Sequence, residues 1–104
     1  MSRDVQKEIK EIVESNNVVL YMKGTSSHPQ CGFSAQAVAM LKACGVTDFV
    51  DVNVLEDDLI RQGIKDYSDW KTVPQLYVKS EFVGGCDIMR EMYEAQELQE
   101  LLSK

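Results

Sequence analysis

Apolar residues Val5, Ile9, Ile12 and Val13 recur at helical spacing among charged neighbours, which predicts an amphipathic helix over about residues 3–15, closed by Asn16-Asn17. Val18-Val19-Leu20-Tyr21-Met22 follows as a β-branched, apolar run without alternation, the pattern of a strand covered on both faces, and Gly24 ends it. After a polar loop from Thr25 to Gln30, Phe33, Ala37, Met40, Leu41 and Cys44 fall on one helical face, with Gly45 at the natural C-cap. This helix starts at or just after Cys31. Phe49 to Val54 reads as a second strand, and Asp57 or Asp58 can cap a helix carrying Leu59, Ile60, Ile64 and Tyr67 on its inner side. Gly63 inside that helix costs about 1 kcal/mol against alanine. Gln75 to Lys79 is a strand, Ser80-Glu81 a tight turn and Phe82-Val83 a returning strand, broken by Gly84-Gly85. Asp87 then caps a last helical region bearing Ile88, Met89, Met92, Tyr93, Leu98, Leu101 and Leu102.

The order α-β-α-β-α-β-β-α defines an α/β chain. Its first two strands are joined through a helix and should be parallel; the closing hairpin is antiparallel. The expected architecture is a mixed four-stranded sheet with helices on both faces. At 104 residues the chain fits a single domain, 1–104, and buries roughly two-thirds of its extended surface, enough for a core without disulfides or metal. No internal repeat, low-complexity tract or linker interrupts it.

Charge narrows the partners. Seventeen acidic residues against eleven basic give a net charge of -6, the wrong sign for binding phosphate backbones by counterion release, so nucleic acid is not expected. Residues 1–17 lack the apolar stretch of a secretory leader, and the longest apolar run is far too short to span a membrane. Three cysteines, at 31, 44 and 86, cannot all pair within one chain and have no metal-finger spacing. A soluble protein of a reducing compartment, the cytoplasm, is expected.

The chemistry concentrates at Cys31-Gly32-Phe33-Ser34, a strand-loop-helix junction. A cysteine at a helix N-terminus faces unpaired amides and the positive end of the dipole, which favour a thiolate; Cys31 is a candidate nucleophile or metal ligand, or else a small residue packed in the first turn. Position 34, where a dithiol protein carries its resolving cysteine, is Ser34. Cys44 lies about 20 Å further along the helix and reads as a core residue. Cys86, after Gly84-Gly85 and at the mouth of another helix, could also ionise. Lys23 would lie near Cys31 if the intervening loop folds back, and His28 before Pro29 reads as an incidental loop residue. Pro74, at the first position of a central strand, is a candidate cis proline that would turn the Val73 backbone outward as an edge for an extended ligand.

Four segments, Lys23-Gly24, Cys31-Gly32-Phe33-Ser34, Trp70 with Thr72-Val73-Pro74-Gln75, and Gly84-Gly85-Cys86-Asp87, together resemble the monothiol glutaredoxins of the CGFS class, over nearly the whole chain. The resemblance implies a thioredoxin-like fold, a cis Pro74 beside the cysteine, and a glutathione site. In that site Lys23, Arg61 and Lys65 hold the glycine carboxylate, and Val73, between Thr72 and Pro74, pairs through its backbone with the cysteinyl part. The Cys86 backbone and Asp87 receive the γ-glutamyl end. Where this family usually has Trp-Pro-Thr, the chain has Trp70-Lys71-Thr72.

The resemblance also implies a [2Fe-2S] cluster held between two subunits. Such a cluster takes four thiolates; Cys31 from each subunit and two glutathione thiols supply them. The expected function is an iron-sulfur carrier that forms a cluster-bound homodimer and serves acceptor or regulator proteins. Two alternatives remain: a glutathione-dependent oxidoreductase using Cys31 on protein-glutathione mixed disulfides, since glutathione can resolve a monothiol intermediate, and a pure interaction module.

Overall fold

The computed structural model describes residues 3–103. Asp4 caps helix α1 (Val5–Ser15) by accepting from the Lys7 backbone N–H at 3.0 Å. Strand β1 (Val18–Met22) follows, buried at every position. It pairs in parallel with β2 (Val50–Asn53) and antiparallel with β3 (Gln75–Val78), and β3 pairs antiparallel with β4 (Glu81–Gly84), giving the order β2-β1-β3-β4. This is the mixed four-stranded sheet expected from the sequence.

Strand alternation divides the core in two. Val18, Leu20 and Met22 of β1, with Leu76 and Val78 of β3, face helix α2 (Gly32–Ala43) and helices α4 (Cys86–Glu94) and α5 (Glu97–Ser103). Val19, Tyr21 and Tyr77 face α1 and α3 (Asp58–Ser68), which supply Ile9, Val13, Ile60 and Ile64. Each such side chain contributes about 1.5–3 kcal/mol through burial. Gly63, a cost by helix propensity, stands where α1 crosses α3: a Cβ there would lie 2.5 Å from Val5 Cγ1, and its carbonyl accepts from Gln6 Nε2 at 2.9 Å. Close approach of the helices offsets the local penalty.

Several boundaries differ from the sequence reading. Strand β2 stops at Asn53, because Val54–Glu56 winds into a 3-10 turn capped by Asn53 Oδ1 on the Leu55 N–H. The hairpin turn is Lys79-Ser80, not Ser80-Glu81; both residues have positive φ, 51° and 72°, as a two-residue turn matching the strand twist requires. The final helical region breaks at Gln96, φ 62°, into α4 and α5. Its N-cap is Gly85 and not Asp87, which lies in the first turn. Phe33 and Leu59, expected on inner helical faces, are each 57% exposed. Both sit in the first turn of a helix, where the sheet no longer covers the side chain. Cys44, expected in the core, is half-buried beside it.

Candidate functional site

The C-terminal end of β1 opens onto the N-terminus of α2, the usual place for a ligand in an open α/β sheet. The loop between them folds back on itself. Lys23 O accepts from Gln30 N at 2.9 Å, Gly24 bridges to Pro29, and Gly24 N and Ser26 N donate to Asn53 Oδ1 and Asp51 Oδ2 at 2.9 and 2.7 Å. Gly24, at φ 90°, is required: a Cβ would lie 2.5 Å from His28 O. The loop thus brings Lys23 beside Cys31. His28 is exposed on it and takes no part in the cleft.

Cys31 is the N-cap of α2 without closing a formal side-chain cap bond. Its thiol is nonetheless held below its ordinary value, chiefly by the Ser34 backbone N–H; burial, the next in size, opposes this, and the Phe33 N–H, the Lys23 charge and the Ser34 hydroxyl follow in the lowering direction. Ser34 is fully buried, and its Oγ accepts from the Lys23 backbone N–H at 3.0 Å. Position 34 therefore ties β1 to α2 and offers no second thiol.

A cleft of about 450 Å³ brings together every residue that the family resemblance placed at the glutathione site. Lys23, Cys31, Arg61 and Lys65 line it, as do Thr72, Val73 and Pro74, with Cys86 and Asp87 at the start of α4. The Val73-Pro74 peptide is cis. Lys23, Arg61, Lys65 and Lys71 make no ion pair among the described residues, whereas Asp87 is paired with Arg90 at 3.5 Å. An acidic chain has thus gathered, among the described residues, four cations without an ion pair around a cleft that holds Cys31 and Cys86.

Cys86 corrects an expectation. Buried at the first position of α4, it is held above its ordinary value by desolvation, with the Arg90 charge opposing and Asp87 and Cys31 reinforcing. Its Sγ donates to Gln36 Oε1 at 3.4 Å, and Arg90 donates to both Gln36 Oε1 and, at 3.7 Å, Cys86 Sγ. Burial thus favours its thiol form over the thiolate.

Some participants were not found from the sequence as site residues. Phe33, Gly85 and Ile88 also line the cleft. Gln75, fully buried, donates through Nε2 to Trp70 O and Thr72 O at 3.0 and 3.1 Å and accepts from Tyr77 Oη at 3.0 Å, so it holds the Trp70–Pro74 wall. A lone amide opening an apolar strand was its signal. Arg90 stands four residues after Cys86, a readable helical neighbour, but Gln36 is 50 residues away from it and left no signal. Among the described residues no group of three or more histidine, cysteine or acidic side chains could hold a metal ion, and no helix is long and apolar enough to cross a membrane.

Comparison with known proteins is consistent across sequence and structure. Residues 18–83 match the family model described as Glutaredoxin. A monothiol glutaredoxin of Synechocystis, described as ycf64-like, is 50% identical over 102 residues, covering 98% of this chain and 94% of its own. A zebrafish mitochondrial glutaredoxin-related protein 5 is 46% identical over 99 residues, of which this chain spans only 64% of the length. Reduced apo GrxS14 of poplar superposes with a TM-score of 0.82 at 49% identity, over 95% of this chain and 90% of that one. A buckwheat glutaredoxin-glutathione complex superposes at 0.83 with 20% identity over 95% and 87%, a likeness of fold.

Proposed function

Because the chain belongs to the glutaredoxin family, among its monothiol members, we propose that its cleft binds glutathione and that Cys31 from two chains, with two glutathione thiols, holds a [2Fe-2S] cluster for delivery to other proteins. The observation that carries this is the convergence of one favoured thiolate and four unpaired cations on a single cleft. Glutathione has a carboxylate at each end and an ammonium at one. Lys23, Arg61 and Lys65 suit its glycine carboxylate, and the Val73 backbone its cysteinyl unit. The start of α4, with the Cys86 backbone and Asp87, suits the γ-glutamyl end.

Thiol arithmetic leads to the dimer. A [2Fe-2S] cluster needs four thiolate ligands, and each chain offers one at the helix α2 entrance, since position 34 is a serine and burial disfavours the Cys86 thiolate. Two chains and two borrowed thiols complete the set. Acceptor and regulator proteins would meet the same exposed face, where Phe33 and Trp70 stand out.

Purification without oxygen in the presence of glutathione tests this. The expected product absorbs in the visible, contains iron, and has the mass of a dimer; Cys31→Ser abolishes all three. A colourless monomer after reconstitution with iron and sulfide would overturn the assignment.

A second function has its own support, the depressed ionisation of Cys31, which equally suits a nucleophile. Attack on a protein-glutathione mixed disulfide would leave glutathione on Cys31, for a second glutathione to remove. Robust steady-state turnover on a glutathionylated substrate, together with no stable cluster, would put this activity first. Either function requires a reducing compartment. The cytoplasm is one; the zebrafish relative is named mitochondrial and an Arabidopsis relative chloroplastic.

A further inference from the structure

Lys71 is the one cation of the cleft that the glutathione contacts leave unused. It is exposed, makes no ion pair among the described residues, and stands on the Trp70-Lys71-Thr72 turn. That turn also bounds a second depression of about 340 Å³, lined by Asp69, Trp70, Lys71 and Thr72. Three of those residues belong to the main cleft as well, so the two hollows share the turn as a common wall. The turn is a firm platform: Gln75 holds the Trp70 and Thr72 carbonyls, Ser68 Oγ accepts from the Trp70 N–H at 3.1 Å, and the indole leans on Phe82 at 6.0 Å while staying 42% exposed.

We infer that this depression is a subsite for the polypeptide that carries the glutathione, and that it takes acidic peptides. It rests on the proposed glutathione site. Lys71 meets a carboxylate next to the modified cysteine, and the Trp70 indole supports the apolar part of the peptide. Asp69, which also lines the depression, disfavours a carboxylate placed against it instead of against Lys71. In the reaction, the Cys31 thiolate attacks the glutathione sulfur of the mixed disulfide. The sulfur-sulfur bond to the peptide breaks, and the peptide departs with the electron pair as a thiolate that takes its proton from water. Cys31 is left disulfide-bonded to glutathione. A second glutathione thiolate then attacks that bond, freeing Cys31 and leaving as oxidised glutathione.

A local preference for acid would oppose the net charge of -6, which makes it readable. At 0.15 M salt the Debye length of about 8 Å screens the distant acidic surface more than a direct contact. The test is single-turnover exchange between the reduced full chain and two glutathionylated hexapeptides that differ only in having Glu or Lys on both sides of the cysteine. The adduct on Cys31 is followed by mass spectrometry, with oxidised glutathione as the reference substrate. The Glu peptide is expected to react about three- to tenfold faster, the span that one or two exposed charge contacts carry. Lys71→Gln should collapse this ratio, Lys71→Arg should restore it, and Lys10→Gln, on the exposed side of α1, should leave it alone. Equal rates for the two peptides, or a ratio that survives Lys71→Gln, would overturn the subsite while exchange with oxidised glutathione keeps the glutathione site standing. No exchange with any of the three substrates would overturn both.

Discussion

Two helices begin at the same cleft, each with a cysteine at its entrance, and they treat that cysteine in opposite ways. Cys31 is the N-cap of α2, one residue outside the helix, so its sulfur faces the amides of Phe33 and Ser34 and the thiolate is favoured. Cys86 is one residue inside α4, after the cap Gly85, and there its side chain turns into the protein and the thiol is favoured. A helix N-terminus alone does not activate a thiol. What decides is whether the sulfur stands at the cap, where it meets both the orphan amides and solvent, or within the first turn, where it meets the core.

The largest effect this contrast predicts is in reactivity. With Cys44→Ser as background, iodoacetamide should label Cys31 at neutral pH at least about tenfold faster than Cys86, because thiolate fraction and access act in the same direction. The pH dependence of stability should also divide. Cys31, with its folded value lowered, adds stability at pH above its unfolded value that is lost as pH falls through the folded value. Cys86, raised, adds stability below its unfolded value that is lost as pH rises through the folded one. Cys86→Ser should therefore lessen the loss of stability at alkaline pH, as read by urea unfolding at pH 7 and at alkaline pH. Comparable labelling of the two thiols would break the contrast.

Next in size are the glycines at the two entrances. Gly84, at φ 150°, has no room for a side chain, since a Cβ would lie 2.7 Å from Ile88 Cβ. Gly84→Ala should cost about 1–3 kcal/mol by overpacking and strain, and should loosen α4 enough to speed labelling of Cys86. Gly32 at the start of α2 has nothing within 4 Å of its Cβ position, so Gly32→Ala should cost nothing and gain up to about 1 kcal/mol in denaturant unfolding. Equal costs at the two sites would mean that the entrances are not packed differently after all.

The packing behind these two glycines also marks where the sequence was legible. The buried run Val18–Met22, the periodic stripes of α1 and α3, and Lys23, Cys31, Pro74 and Cys86 of the cleft carried local signals, whereas Arg61, Lys65 and Thr72 were legible only through the family resemblance. The cap of α4 did not. Gly85 and Asp87 are both admissible caps by residue type, and the choice between them follows from Cys86 entering the core beside Gln36, a contact between positions 50 apart. Phe33 and Leu59 failed for a related reason: periodicity assigns a face to a helix but does not say where the covering sheet ends. The same two-residue ambiguity that moved the α4 cap made Cys86 look ionisable.

A comparable effect on stability, with a smaller one on labelling, is expected at Ser34. Ser34→Ala leaves the Lys23 backbone N–H without its partner, at a cost of about 1–3 kcal/mol, and removes the least of the influences that favour the Cys31 thiolate. Thermal unfolding should report the first clearly, and the labelling midpoint of Cys31 should move up only slightly. A large upward movement with no loss of stability would mean that the hydroxyl, and not the amides, governs the thiol.

The smallest effect on stability should come from the cations, although each thiol has one. Arg90 donates to Cys86 Sγ at 3.7 Å and still does not overcome burial, while Lys23 ranks behind the backbone amides at Cys31. If charge separated the two thiols, Cys86, with a guanidinium in contact, would be the readily ionised one. Lys23→Gln should therefore raise the Cys31 labelling midpoint modestly, and by an amount that shrinks between 0.01 and 1 M salt as the Debye length falls from about 30 to 3 Å. The amide contribution, fixed in the backbone and in contact with the sulfur, should persist at both ionic strengths. A Lys23→Gln midpoint that rises to that of Cys86 would reverse this order and make the neighbouring cation, not the cap position, the origin of the difference between the two thiols.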